Sequence, residues 1–242
     1  MIGGWEVMGR VLEGKRVLIT GASRGVGYEI VKLFLEEGAS IIGVAKDEKR
    51  LKEAELEFKK LGDFEGLVLD ISQKGFEEEV ATAVKNKWNA LDILINNAGV
   101  MLAYGGFLEE DKDILEKTFK VNLYAPYYLI RAMVPFLLKG NEPRIVNVSS
   151  GAGTFSAIRE MYDIASYRLS KFALNGLTIL LANELKGKIA VNALDPGWVK
   201  TDLGGPNAPG SPKDSAKGAL ALVTMPFEVT GKFFKDGKEI PF

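Results

Sequence analysis

Lys15-Arg-Val-Leu-Ile-Thr20-Gly21-Ala-Ser-Arg-Gly25-Val-Gly27-Tyr-Glu-Ile-Val-Lys-Leu-Phe-Leu-Glu-Glu37 is the stretch on which the fold turns. Its first six residues, Lys15–Thr20, are largely apolar and partly β-branched, the composition of a short buried strand. Glycines follow at 21, 25 and 27, and from Tyr28 to Glu37 apolar residues recur at helical spacing until Gly38 ends the run. A strand, a glycine turn and a helix N-terminus are the parts of a dinucleotide site. The glycines let backbone approach a pyrophosphate, and unpaired N–H groups with the helix dipole favour the anion. The spacing is Gly-x-x-x-Gly-x-Gly rather than Gly-x-Gly-x-x-Gly, and a tight turn needs glycine for its own geometry in any case.

The alternation continues outward from this unit. Strands are predicted at Ser40–Ala45, Phe64–Leu69, Leu91–Ile95, Arg144–Val148, Lys188–Ala193 and Val229–Phe234. Helices are predicted at Glu48–Leu61, Phe76–Lys85, Asp113–Lys139, Tyr167–Leu185 and near Ser215–Thr224, with Pro126 and Pro135 as irregularities in the third. Strands alternating with helices imply an α/β, Rossmann-type, doubly wound parallel sheet of about seven strands with helices on both faces. No repeat or linker interrupts it, so residues 1–242 read as a single domain. Gly204–Pro212, rich in Gly and Pro, lies within a loop of about 195–213 that is placed to cover a substrate.

Composition narrows the chemistry. The 242 residues carry a net charge of −1 and no basic cluster, which gives no reason to expect nucleic acid or an anionic membrane as partner. No apolar run approaches the ~18 residues needed to span a bilayer, and Met1–Met8 lacks the features of a signal peptide, so a cytoplasmic location is the default. The chain has no cysteine and no histidine. That removes disulfides, thiol nucleophiles, imidazole bases and most zinc sites, and no metal is expected. Acid–base work then falls to Tyr, Lys, Asp or Glu.

Tyr167 and Lys171 fit that restriction. On a helix, positions i and i+4 share a face, so the Lys171 ammonium can lie near the Tyr167 ring. A nearby cation favours the phenolate and is expected to draw the tyrosine down from its usual pKa of about 10. Ser149-Ser150, at the end of the Arg144–Val148 strand, can approach the pair from the side. At the end of the second strand stands Lys46, where dinucleotide sites for NAD usually place an acid. A basic residue there suits the 2′-phosphate of NADP, and Arg24 can reach the same side. Asp47 is read as the N-cap of the following helix. Asp70 could accept from an adenine amino group or cap a helix, with Ser72 the better cap. Asn96-Asn97-Ala98-Gly99 is a turn whose small residues would let an adenosine ribose lie close to backbone.

Taken in order, Thr20-Gly21-x-x-x-Gly25-x-Gly27, Asp70, Asn96-Asn97-Ala98-Gly99, Asn122, Ser149-Ser150, Tyr167-x-x-x-Lys171 and Pro196-Gly197 resemble the short-chain dehydrogenase/reductase family along nearly the whole chain. The resemblance implies Tyr167 as acid in carbonyl reduction and base in alcohol oxidation. It implies Lys171 as the group that tunes Tyr167 and holds the nicotinamide ribose. Ser150 would bind the substrate oxygen in preference to Ser149, and Asn122 would support a water-mediated proton relay behind Lys171. Around an NADP cofactor (NAD the less favoured) it implies Gly21, Ser23, Arg24, Val26, Gly27, Lys46, Asp70, Ile71, Asn97, Ala98, Gly99, Pro196, Gly197, Val199 and Thr201, with Tyr167 and Lys171. Thr201 would hold the carboxamide.

The interval from Ser150 to Tyr167 is longer than the family's usual one, as in carbonyl-reductase-like members, and the C-terminal Gly231–Pro241 is similar to that branch. Met101, Tyr104, Phe155, Tyr162, Trp198 and Leu203 would line an apolar pocket for a carbonyl or secondary-alcohol substrate. A sugar-nucleotide epimerase shares the Tyr-Lys pair but has a C-terminal substrate domain that is missing here. A nucleotide-binding sensor without turnover is the alternative from outside enzymology. The Tyr167 helix is apolar over more than one stripe, which predicts burial on two sides and a homodimer or homotetramer, with a monomer as the alternative.

Overall fold

The structure, a computed structural model, describes residues 10–242; Met1–Met8, read above for a leader, lies outside the described residues. Among these residues eight strands form one sheet in the order β3-β2-β1-β4-β5-β6-β7-β8. The strands are β1 (Arg16–Thr20), β2 (Ser40–Ala45), β3 (Phe64–Val68), β4 (Ile93–Asn96), β5 (Arg144–Val148), β6 (Ala190–Asp195), β7 (Phe233–Lys235) and β8 (Lys238–Ile240). The first seven pair in parallel, and β8 returns antiparallel on β7. The expected strand at Val229–Phe234 therefore starts later and is half of a hairpin. Asp236 (φ +48°) and Gly237 (φ +74°) make its two-residue turn, the left-handed pair that such a tight hairpin requires.

The helices are α1 (Gly25–Glu36), α2 (Glu48–Leu61), α3 (Phe76–Lys87), α4 (Ile114–Phe119), α5 (Ala125–Leu137), α6 (Phe155–Glu160), α7 (Ala165–Glu184) and α8 (Pro212–Val223). Strand residues alternate between the two faces of the sheet, as a period of two demands. Val17, Ile19, Ile41, Ile93 and Ile95 pack with Ile30 and Phe34 of α1, Phe58 of α2 and Leu222 of α8. Leu18, Ile42 and Leu94 pack on the other face with Val80 and Val84 of α3, Leu129 and Met133 of α5 and Ala182 of α7. Strands buried on both faces read as continuous apolar runs, which is why these segments were visible in the sequence.

Two local expectations are corrected. Neither Asp70 nor Ser72 caps α3: Gly75 precedes it at φ +88°, and the Asp70 carboxylate instead accepts from the Ser72 N–H at 2.9 Å, closing a local turn. The helical region from Asp113 is not one helix. Between α4 and α5, Lys120–Tyr124 forms a π-helical turn with Asn122 at its centre. Pro126 has no N–H to offer the Asn122 carbonyl four residues back, so the ladder is interrupted and the turn widens there.

The strand order reverses between β1 and β4, and the loops leaving these strands at their carboxyl ends diverge. In open α/β sheets that is where a ligand crevice forms.

Candidate active site

Thr20 stands at the head of this crevice. Its backbone still pairs with Val44 of β2, but the β1–β4 ladder stops one residue earlier, at Ile19 and Ile95. The buried Thr20 hydroxyl takes over and accepts from the N–H groups of both Asn97 and Ala98 at 3.1 Å. The Asn97 amide donates back to the Thr20 carbonyl at 2.9 Å and the Gly21 carbonyl at 3.3 Å. Its side chain is thus committed to holding the glycine turn. Gly21 and Gly25 have φ of +73° and +60°, and a Cβ on Gly27 would collide with the Gly21 carbonyl and the Asn97 amide. These glycines are required by the turn itself.

That turn delivers the N-terminus of α1 with no side-chain cap on it among the described residues and no acid in its first turn. Free N–H groups in that position fit a phosphate. Ser23 and Val26 lie in this turn, with Val26 packed against the core. At the end of β2, Lys46 is exposed, and Asp47 caps α2 by accepting from the Arg50 N–H at 3.0 Å. Arg50 was not singled out in the sequence. Its guanidinium and that of Arg24 both bind the Asp202 carboxylate, Arg50 at 2.9 Å. The sequence signal for this was a further base four residues past Lys46, following Lys49. Asp70 and Ile71 lie beyond the end of β3, partly buried.

On the other side of the crevice α7 begins under constraint. Ile164 holds φ +46°, unusual for a β-branched residue, and is fixed by its N–H to the Tyr104 carbonyl at 3.1 Å. Glu110 accepts from the Ser166 N–H at 3.1 Å and from its hydroxyl, serving the exposed donors of the first turn. One and two residues on, α7 presents Tyr167 and Arg168; a further turn brings Lys171. Lys171 is buried, and its Nζ lies 5.8 Å from the Tyr167 ring centroid and 2.8 Å from the Val148 carbonyl, to which it donates.

The expected depression of Tyr167 does not follow from this arrangement. Burial pushes the phenol up to about 12, the Asp195 carboxylate adds to the rise, and a hydrogen bond from the Ser150 side works against both. Burial also lowers Lys171, to about 8. Asp195, which the sequence reading passed over, is itself buried at the end of β6. It accepts from the Gly197 N–H at 2.9 Å and lies 3.4 Å from Lys235. Ser149 is buried and turned inward, towards the Lys171 carbonyl at 3.4 Å. Ser150 is partly exposed on the Tyr167 side, and its hydroxyl accepts from the Ala152 N–H at 3.1 Å.

Asn122 is fully buried in the π-turn. Its amide donates to the Val100 carbonyl and the Ser170 hydroxyl, both at 2.9 Å, and its carbonyl oxygen accepts from the Val100 N–H at 2.8 Å. A Cβ on Gly99 would lie 3.4 Å from the Lys171 ammonium and 3.5 Å from the Asn122 oxygen, which places all three together. Pro196, Gly197, Val199 and Thr201 follow β6. The Thr201 methyl packs on Gly25, where a Cβ would meet it at 3.2 Å, and Val199 bridges to Gly210.

The interval between Ser150 and Tyr167 holds a 3-10 turn (Gly151–Gly153) and α6. Arg168, nearly buried, ties it down by donating to the Asp163 carbonyl at 2.8 Å and carboxylate at 2.5 Å. Tyr162 packs beside Gly106. Tyr104, Phe155, Tyr162 and Trp198 are each more than 60% exposed, Leu203 is 37% exposed and Met101 is half-buried, so these expected pocket residues do not enclose a buried cavity.

A crevice at the sheet's switch point, an uncapped helix behind a glycine turn and a Tyr-Lys pair on a facing helix together define a Rossmann-type oxidoreductase site. The short chain dehydrogenase family model matches residues 15–211, and the chain belongs to that family. An uncharacterized oxidoreductase of Staphylococcus saprophyticus is 30% identical over 226 residues, covering 90% of this chain and 94% of the relative. A 3-oxoacyl-[acyl-carrier-protein] reductase of Vibrio cholerae is 34% identical over 197 residues, covering 79% and 76%. Among solved structures, an NADPH-bound carbonyl reductase from chicken fatty liver superimposes with a TM-score of 0.87 at 29% identity, covering 96% of this chain and all of the other.

Proposed function

We propose that this oxidoreductase moves a hydride between NADP(H) and a carbonyl or secondary alcohol, in the manner of a carbonyl reductase, with Tyr167 as the acid. The observation that carries the reading is Tyr167 itself. Its ring lies 5.8 Å from the buried Lys171 ammonium one helical turn away and on the side of Ser150, and its phenol is protonated at neutral pH. It can donate a proton to an oxygen that gains negative charge, and Ser150 can donate to the same atom. A bound nicotinamide supplies or accepts the hydride. The chain's own part is to place the oxygen, keep Tyr167 charged with its proton and hold Lys171 where ribose hydroxyls can reach it.

The phosphate-binding end supports NADP over NAD. Arg24 and Arg50 meet on Asp202, Lys46 stands exposed at the end of β2, and Asp47, the acid nearest the usual ribose contact, is spent on capping α2. The chicken carbonyl reductase was solved with NADPH. Gly99, Pro196, Gly197, Val199 and Thr201 are read as the residues along the nicotinamide half, and Asp70 and Ile71 as the adenine end.

A second copy of the chain is the proposed partner. Leu169, Phe172, Ile179 and Leu180 of α7 are exposed, as are Tyr124 and Tyr128 beside them, so the second apolar side of α7 is covered by nothing within the chain among the described residues. Light scattering of the purified protein should give at least twice the 26.4 kDa of one chain. A single-chain mass would end the oligomer proposal.

The test of the activity is loss of reduced-nicotinamide absorbance with a panel of ketones, aldehydes, diketones and quinones, run with NADPH and with NADH. Turnover favouring NADPH is expected. Preference for NADH would overturn the cofactor assignment, and binding without turnover would favour a sensor.

A further inference from the structure

The Asp202 carboxylate draws together parts of the molecule that are remote in sequence. Arg24 is 178 residues away, in the glycine turn, and Arg50 is 152 residues away, in the first turn of α2. Arg50 is held on its other side by Asp47, whose carboxylate lies 3.4 Å from its Nε. The loop bearing Asp202 lies down on the glycine turn at its neighbour Thr201, against Gly25, and is closed locally by the Gly204 N–H to the Thr201 hydroxyl at 3.0 Å. The pairs are half-exposed, with side-chain exposures of 55% for Arg24, 45% for Arg50 and 59% for Asp202. They are open to exchange with another anion.

We propose that Asp202 occupies the 2′-phosphate subsite from within the chain, as a latch that NADP(H) displaces and NAD(H) does not. The proposal rests on the NADP reading above. A carboxylate between two guanidiniums offers the same kind of charge-assisted hydrogen bonds as a phosphomonoester, which has more oxygens and a charge of about −1.5 to −2. Arg24 and Arg50 meet the Asp202 carboxylate, Arg50 also lies against Asp47, and Lys46 stands exposed next to Asp47 in the chain. Adding a phosphate dianion to this group brings it to neutrality only if Asp202 withdraws. The phosphate therefore releases the segment from Val199 to Gly210, which carries Leu203 and follows directly on Trp198, two of the expected pocket residues. Asp202 couples recognition of one phosphate to the freedom of the loop over the substrate.

The latch makes a prediction that runs against ordinary mutational loss. Removing its charge should improve binding, and only of ligands that carry the 2′-phosphate. The probes are adenosine 2′,5′-bisphosphate and 5′-AMP, titrated calorimetrically at fixed low ionic strength into the wild-type protein and Asp202→Asn. The variant is expected to bind the bisphosphate about threefold to tenfold more tightly, the size of losing exposed ion pairs, and 5′-AMP unchanged. In the wild type, the bisphosphate should speed hydrogen exchange at the Gly204 and Gly205 amides, and 5′-AMP should not. If the wild type prefers the bisphosphate but Asp202→Asn binds it no better, or worse, the latch is wrong and the NADP reading stands. If neither protein distinguishes the two ligands, the NADP reading fails and the latch falls with it.

Discussion

Lys171 donates its ammonium hydrogen bond to the carbonyl of Val148, 2.8 Å away, so that the helix carrying Tyr167 is pinned to the last residue of β5, just before Ser149-Ser150. The charge is buried with no carboxylate on it among the described residues, and burial lowers its pKa to about 8. At a pH of about 8 the lysine is therefore half neutral where an exposed one would be almost fully charged.

This gives a pH prediction. If the ammonium form is the one that holds ribose, kcat/KM for NADPH, which reports the free enzyme, is flat below about 7 and falls as pH passes about 8. Tyr167, at about 12, stays protonated over the whole range and adds no second break. Steady-state rates from pH 6 to 10 check this. A profile flat to pH 10 would separate Lys171 from nucleotide binding.

The same group sets a stability prediction. Between pH 8 and about 10.5 the folded lysine is neutral while the unfolded one is charged, so wild-type stability rises across that window. Below it, folding must bury a charge. Lys171→Met is thus expected to be more stable than wild type at pH 7, by about 1–3 kcal/mol, with the gap closing above pH 10. Urea melts of both proteins at the two pH values test it; a variant less stable at pH 7 would mean the Val148 bond outweighs desolvation.

Tyr167→Phe keeps the ring and removes the proposed proton donor. Reduction should slow by about 10²–10⁴, while NADPH affinity changes by less than about threefold. Fluorescence titration alongside turnover separates the two. Activity within tenfold of wild type would move the proton donor elsewhere.

Asn122→Ala removes three buried hydrogen bonds, two to Val100 and one to Ser170. Leaving the Val100 groups unpaired should cost about 1–3 kcal/mol. Because Asn122 also borders Lys171 through Gly99, kcat per folded molecule should fall as well. Denaturant melts and active-site-normalised rates distinguish the effects, and a loss of stability alone would confine Asn122 to a structural part.

The central sheet could be read from the sequence because its inner strands are mostly apolar runs closed by an abrupt polar or glycine residue. β2 was placed to the residue, between Gly38 and Lys46. Where a signal is not periodic the reading slipped. The π-turn at Asn122 leaves the apolar spacing of its flanking helices undisturbed, and only Pro126 hints at it. The β7–β8 hairpin was missed although Asp236-Gly237 is a turn signal, because its strands are only three residues each. In the site, Tyr167 and Lys171 are neighbours on one helix, and such spacing is legible. The effect of Asp195 on Tyr167 depends on how the end of β6 meets α7, and the meeting of Asp202 with Arg24 and Arg50 joins segments more than 150 residues apart. No local pattern encodes them.

Thr20 shows what kind of opening the crevice is. On its β2 side the strand is still sheet; on its β4 side the main-chain ladder has ended, and one hydroxyl accepts the two N–H groups that follow. The hydroxyl behaves as a stand-in for a carbonyl, carrying the seam one step past the last true rung before the two strands part. The mouth is thus a seam in the sheet, and its width is set by the reach of a threonine side chain. Valine, which has nearly the same shape and β-preference but no acceptor, would leave the strand order untouched and unfasten the rim on which the glycine turn is hung.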